Sequence, residues 1–83
     1  MKNTNDSREA FGKALRAYRL KKGISQEELA DLAGIHRTYV GDVERGTRNI
    51  ALVNMTRLAA ALDVPLSILI KEMESLWRPA KRQ

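Results

Sequence analysis

Residues 26–45 read QEELADLAGIHRTYVGDVER, and the fold follows from this stretch. Its apolar residues recur at the three- and four-residue steps of one helix face, first as Leu29, Ala30 and Ala33 and then as Val40 and Val43. Gly34 ends the first helical pattern, and Ile35 is the apolar residue that follows the break. The stretch therefore predicts two short helices joined by a tight turn, which is the layout of a helix-turn-helix unit.

Cap signals set the bounds of these two helices. Ser25 and Glu28 have the spacing of a capping box, which starts a helix over residues 26–33. The next helix is expected over residues 37–45, with His36 or its neighbour as N-cap and Gly46 at its end.

A first helix is predicted before this unit, over residues 8–22. Its apolar residues step at i, i+3, i+4 and i+7, as Phe11, Ala14, Leu15 and Tyr18. Ser7 is the expected N-cap, and Gly23 ends the helix. Residues 1–6 are polar and are expected to be a flexible N-terminus.

Two more helices are predicted after the unit, over residues 52–62 and 65–76. Ala51 is a poor cap for the former, and Pro65 fits the first position of the latter. The apolar face of the last helix is wider than a single core-facing stripe requires, which suggests a partner. The prediction is one all-α domain of five helices over residues 7–77, followed by a basic tail over residues 78–83.

Charge points to a polyanionic partner. The net charge is +5 and the pI about 10.0, so a basic surface attracts nucleic acid, although the same charge also keeps a small protein soluble. Seven of the fifteen basic residues lie in residues 2–22, whereas residues 23–35 carry only the acids Glu27, Glu28 and Asp31. The second helix is therefore expected to approach DNA only with its N-terminal end.

Several classes of protein lack support in the sequence. With no cysteine and a single histidine, His36, a metal site is not expected, and neither is a cofactor. Phosphate loops, nucleophile motifs and paired inward carboxylates are absent from the sequence, so nothing predicts an enzyme. No apolar run approaches the roughly 20 residues of a membrane span, and the N-terminus lacks a secretory segment. A cytoplasmic protein without a membrane partner is expected.

Four motifs together resemble one family: SQEELADLAG at 25–34, RTYVGDVERG at 37–46, RN at 48–49 and ALDVP at 61–65. They resemble the lambda/434-repressor-like helix-turn-helix family, also called the XRE family, over residues 12–73. Within it, HRTYVGDVERGTRNIALVNM at 36–55 is most similar to the controller proteins of bacterial restriction–modification systems. The chain departs from many relatives at Ala51, where serine commonly caps the fourth helix.

The resemblance implies a compact five-helix, all-α domain that binds DNA as a symmetric dimer and reads bases with the third helix. For controller proteins it further implies dimerisation through the last helix and control of the transcription of their own gene and of the endonuclease gene. It also implies that Arg19 and Glu44 form a partly buried salt bridge.

The expected base contacts lie on the third helix. Arg37 can donate two hydrogen bonds to guanine, or it is a solvated surface arginine. Thr38 can contact thymine or cap the helix. Tyr39 either faces DNA or packs against the loop at the fourth helix. Asp42 can accept from cytosine N4, or it holds Arg45 or Arg37 in place.

The expected phosphate contacts surround that helix; they are Gln26, Arg45, Arg48, Asn49 and Arg57, although Arg57 is equally well explained as a solvated residue. The predicted dimer interface consists of Val53, Ile68, Leu69, Glu72 and Leu76. Leu69 also belongs to the set that can face the domain, together with Leu66, Ile70 and Met73.

The sequence thus predicts a transcriptional regulator that binds a palindromic operator as a homodimer and blocks or contacts RNA polymerase, depending on the position of the operator. The competing hypothesis is a protein-interaction module with the same fold, such as the antitoxin of a toxin–antitoxin pair. The short tail argues against it, because a toxin-neutralising segment usually needs more length.

Overall fold

Five α-helices and the turns between them lie within residues 4–78, the part of the chain that the computed structural model describes. Their bounds are Ser7–Lys22 (α1), Gln26–Ala33 (α2), Arg37–Arg45 (α3), Leu52–Ala61 (α4) and Leu66–Leu76 (α5). The only β-type pairing within this range is an isolated bridge between Thr4 and Trp77, so the all-α prediction is confirmed. Most of the predicted basic tail, residues 79–83, lies outside the described residues, as do residues 1–3.

The N-cap of α1 is Asp6, and the prediction of Ser7 was wrong by one residue. The Asp6 carboxylate accepts a hydrogen bond from the backbone N–H of Arg8 at 2.9 Å, and it also receives the Arg8 side chain. These hydrogen bonds, that of the Arg8 side chain first, lower the pKa of Asp6. A carboxylate at this position also interacts favourably with the positive end of the helix dipole, which a serine hydroxyl does not.

Residues 4–6 form hydrogen bonds with the end of the last helix and the residue after it; the flexible segment expected over residues 1–6 stays a prediction. The backbone N–H of Thr4 donates to the carbonyl of Leu76 at 3.1 Å, and the indole N–H of Trp77 donates to the carbonyl of Asn5 at 3.0 Å. These bonds join the two ends of the described chain beside α1 and α5.

The ends of α4 and α5 differ slightly from the prediction. α4 ends at Ala61, one residue earlier than expected, and its N-cap Ala51 makes no side-chain cap bond. Pro65 is the N-cap of α5 and not its first residue, because its ψ of 146° is extended. A proline φ of −66° suits either position, so the sequence did not distinguish them.

The core lies between all five helices and is aliphatic apart from Phe11. Its fully buried side chains are Leu15, Leu29, Val40, Val43, Leu58 and Leu69. Leu69 is 0% exposed within the monomer and has no surface to offer a partner, so its prediction as a dimer-interface residue was wrong. Of the two roles open to Leu69, the structure shows the core-facing one.

α1 and α3 are held together by close backbone packing and by a buried ion pair. A Cβ atom added to Gly12 would lie 2.3 Å from the carbonyl oxygen of Val43, so only glycine allows this approach. Nearby, the guanidinium of Arg19 donates to both carboxylate oxygens of Glu44, at 2.7 and 3.0 Å. This is the pairing that the resemblance implies, and it fixes the inner side of α3 on α1.

The Arg19–Glu44 pair is fully satisfied. Arg19 also donates to the carbonyl of Ile24 at 3.0 Å, and the side-chain amide of Gln26 donates to Glu44 at 2.9 Å. The side chains of Arg19 and Glu44 are only 9% and 3% exposed. The carboxylate that accepts its hydrogen bonds raises the pKa of Arg19. The network links α1, α2 and α3 at one point.

Within residues 4–78, no single helix is long and apolar enough to cross a membrane. α4 and α5 reach that length and composition only as a pair, and the pair is bent by 108° at the break between them.

Candidate nucleic-acid interface

Local capping sets the direction of α3 relative to α2. The capping box forms as predicted: Ser25 and Glu28 exchange backbone-to-side-chain hydrogen bonds of 2.9 and 3.0 Å. At the other end of α2, Gly34 adopts a left-handed φ of 71°, which turns the chain toward α3. Ile35 then donates its N–H to the carbonyl of Ala30 at 3.0 Å. The turn is therefore closed by the backbone, and α3 leaves it with a defined orientation.

The first turn of α3 exposes two of the predicted base-contacting side chains. Arg37 and Thr38 lie beside Gln26 and Arg45 in a concave surface between the start of α2 and the outer side of α3. The guanidinium of Arg37 is 69% exposed, and its ion pair with Glu27 is long, at 3.6 Å, and exposed. Its donors are therefore available to a ligand that enters this surface.

Tyr39 occupies the second of the two positions open to it. Its ring is half-buried against the core, and its hydroxyl accepts a hydrogen bond from the side-chain amide of Asn54 at 3.0 Å. The guanidinium of Arg48 lies over the ring, 4.9 Å from its centroid. As a base contact, Tyr39 stays a prediction. Sequence reasoning missed Asn54 as its partner, because nothing in the local pattern links residues fifteen positions apart.

The carboxylate of Asp42 accepts hydrogen bonds from two arginines. One carboxylate oxygen accepts from Arg45, and the other accepts from Arg48 at 3.0 Å. These bonds, that of Arg48 first, lower the pKa of Asp42 below its usual value. Each carboxylate oxygen keeps a second lone pair, so a contact with cytosine would have to be made beside the bound arginines. The structure thus matches the alternative in which Asp42 holds Arg45, and it shows no pairing of Asp42 with Arg37.

The predicted phosphate-contacting residues fall into separate groups. Arg45 and Arg48 are 63% and 47% exposed and share Asp42. Gln26 is half-buried, and its amide group is engaged with Glu44, which leaves a second N–H on the same nitrogen. Asn49 lines a different, apolar depression beside Phe11 and Trp77. Arg57 is exposed on α4 and does not line the concave surface with Arg37.

The predicted interface residues outside the core are accessible to different degrees. Val53 is 61% exposed and stands beside Leu52, which is 66% exposed. Ile68, Glu72 and Leu76 are half-buried on α5. These side chains lie on α4 and α5 and do not line the concave surface that holds Arg37.

Among residues 4–78, no three His, Cys, Asp or Glu side chains cluster in a way that could hold a metal ion. The chemistry of the concave surface is that of hydrogen-bond donors and positive charge on a short exposed helix edge. Such an edge suits the major groove of DNA, where base edges present acceptors.

A two-helix unit whose second helix exposes Arg37 and Arg45 is the arrangement of a helix-turn-helix DNA-binding protein. The family model described as "Helix-turn-helix" matches residues 15–69, so the chain belongs to this family. This confirms the family and the regulatory class that the sequence predicted.

The similar proteins include controller proteins of restriction–modification systems. Control protein C.BamHI of Bacillus amyloliquefaciens is 48% identical over 62 residues, which are 74% of this chain and 76% of that protein. Control protein C.SmaI of Serratia marcescens is 42% identical over 65 residues, or 78% and 77% of the two chains. The crystal structure of the controller protein C.AhdI from Aeromonas hydrophila has a TM-score of 0.74 at 53% identity, covering 75% of this chain and 94% of that one.

Proposed function

We propose that this protein is a restriction–modification controller that binds a palindromic operator as a homodimer. Its similarity to three controller proteins supports the role, since it extends over about three quarters of this chain in each comparison. The proposal includes no catalytic turnover and no cofactor. It places the protein in the cytoplasm, where its DNA lies.

The observation that carries the proposal is the exposed edge at the start of α3. In this proposal Arg37 donates to guanine O6 and N7, and Thr38 contacts the neighbouring base. The phosphate contacts are assigned to Gln26 on one flank and to Arg45 and Arg48 on the other. Phosphate contacts fix the position of the protein on the duplex, while base contacts select the sequence.

The homodimer is supported by apolar side chains that the monomer leaves uncovered. Leu52 and Val53 are mostly exposed, and Ile68 and Leu76 are only partly covered. A two-fold dimer would present one α3 to each half-site, with half-site centres about 34–36 Å apart on one face of the duplex. Regulation then follows from occupancy, because a dimer on the operator blocks RNA polymerase or contacts it.

Selection of bound sites from random DNA tests this proposal. The expected product is an inverted repeat whose half-site centres lie about one helical turn apart. Binding to it should weaken steeply as salt rises, because phosphate contacts release counterions. Recovery of no enriched sequence, or of one without two-fold symmetry, would contradict the proposal. A toxin gene beside the gene for this chain would favour the antitoxin alternative, and a methylase or endonuclease gene would favour the controller.

A further inference from the structure

One carboxylate lies between the outward-facing arginines at the end of α3. Asp42 accepts a hydrogen bond from Arg45 on one oxygen and from Arg48 on the other. Its side chain is 22% exposed, whereas those of the two arginines are 63% and 47% exposed. The carboxylate therefore lies behind the two arginine side chains, which a bound duplex would contact first.

The backbone of Asp42 also holds the loop that carries Arg48. Its carbonyl oxygen accepts from the backbone N–H of Thr47 at 3.0 Å and from the Thr47 hydroxyl at 3.2 Å. This folds the loop back over the last turn of α3. The guanidinium of Arg48 consequently lies between the Asp42 carboxylate and the ring of Tyr39, 4.9 Å from the ring centroid.

We infer that Asp42 is a positioning residue that sets the preference for operator over other DNA. It holds Arg45 and Arg48 in one arrangement and competes with phosphates for them. The inference rests on the proposed function and deepens it, because it assigns the source of discrimination to a residue that need not touch a base.

Both arginines have more hydrogen-bond donors than Asp42 uses. Each guanidinium has five N–H donors, and Asp42 receives one hydrogen bond from each arginine, so donors remain for phosphate without breaking the pair. On the operator, Arg37 and Thr38 set a register in which phosphates lie where the held arginines already point. On other DNA the register is not set, and the arginines must leave Asp42 to reach phosphates. The carboxylate then stays unpaired near the polyanion.

Asp42→Asn tests the inference, with Asp63→Asn as the matched control. Both substitutions replace one carboxylate by an amide; Asp63 is exposed in the turn between α4 and α5 and has a left-handed φ of 61°, which asparagine tolerates. Dissociation constants are measured for a site selected by the wild-type protein and for a random duplex, at several salt concentrations.

Asp42→Asn should tighten binding to random DNA more than binding to the selected site, so the specificity ratio should fall about tenfold, the size of one lost base contact. Its salt dependence on random DNA should become steeper, because the freed arginines contact more phosphates. Asp63→Asn should leave the ratio unchanged. Parallel changes in both affinities for Asp42→Asn, with a constant ratio, would overturn the inference.

A second arm separates positioning from direct base contact. When Arg45 and Arg48 are both replaced by glutamine, Asp42→Asn should no longer change the ratio, since Asp42 would have nothing to position. A persisting effect in that background would show that Asp42 acts on DNA itself and would overturn the inference. A wild-type protein that does not discriminate between selected and random DNA would refute the proposed function, whereas normal discrimination with an unchanged Asp42→Asn ratio would refute only the role of Asp42.

Discussion

Two arginines on opposite sides of α3 differ in exposure and in hydrogen bonding. Arg19 lies beneath α3, 7% exposed, and its guanidinium donates twice to Glu44 and once to the carbonyl of Ile24. Arg37 lies on the outer side of α3, 69% exposed, with one long ion pair. Three of the five N–H donors of the inner arginine are bound inside the protein, whereas the outer one is largely exposed to solvent. In the proposed function, the inner side therefore fixes the direction of α3 and the outer side binds DNA.

Removing the inner arginine should have the largest effect on the fold. Arg19→Ala leaves the Glu44 carboxylate buried with only Gln26 as a side-chain partner, so the free energy of unfolding should fall by about 3–5 kcal/mol. Urea unfolding measures the loss. Replacing both Arg19 and Glu44 by methionine should cost less than the single substitution, because no uncompensated charge remains. If the loss for the double methionine variant equalled the sum of the losses for Arg19→Met and Glu44→Met alone, the coupling would be contradicted.

Two helix glycines extend the comparison between the inner and outer sides. Gly12→Ala would place a Cβ against backbone atoms of α3, so we expect a loss of roughly 1–3 kcal/mol of unfolding free energy despite the better helix propensity of alanine. Gly41→Ala is the matched control. Its Cβ would lie 3.3 Å from the exposed end of the Arg45 side chain, and a small shift of that guanidinium relieves the contact, so the effect should be small or stabilising by up to about 1 kcal/mol. Equal losses of unfolding free energy at the two positions would contradict the tighter packing at Gly12.

Neighbouring residues of α5 offer the same contrast in the proposed dimer. Ile68 is half-buried in the monomer and Leu69 is fully buried. Ile68→Asp should give a folded monomer in analytical ultracentrifugation, because it places a charge in the interface and not in the core. Leu69→Asp should unfold the chain. A persistent dimer of Ile68→Asp would show that the interface lies elsewhere than this part of α5, and Val53 would be the next residue to test.

The helices were predictable because each has an apolar period and a local end signal. The positive-φ glycines 23, 34 and 46 end three of the helices where the pattern placed them. The contact of Thr4 with Trp77 was not predictable, because it pairs polar residues from the two ends of the described chain and carries no periodicity.

The sequence predicted which residues form the site better than it predicted the contacts between them. The position of Arg37 and Thr38 at the start of α3 follows from sequence alone, and the structure shows both exposed. The sharing of Asp42 between two arginines depends on the path of the loop after Gly46, which propensities do not determine. Leu69 was misplaced because an apolar face that is too wide does not show by its period which residues turn inward.

In the proposed function, the outer edge of α3 selects the DNA sequence, and its inner side only holds the helix in place. The decisive measurement is the ratio of affinities for a selected operator and a random duplex, determined for the wild type, Arg37→Ala and the exposed control Arg57→Ala. Arg37→Ala should lower discrimination by about 1–3 kcal/mol with the unfolding stability of the wild type, and Arg57→Ala should keep the wild-type ratio. An unchanged ratio for Arg37→Ala would show that the outer edge of α3 does not select the sequence.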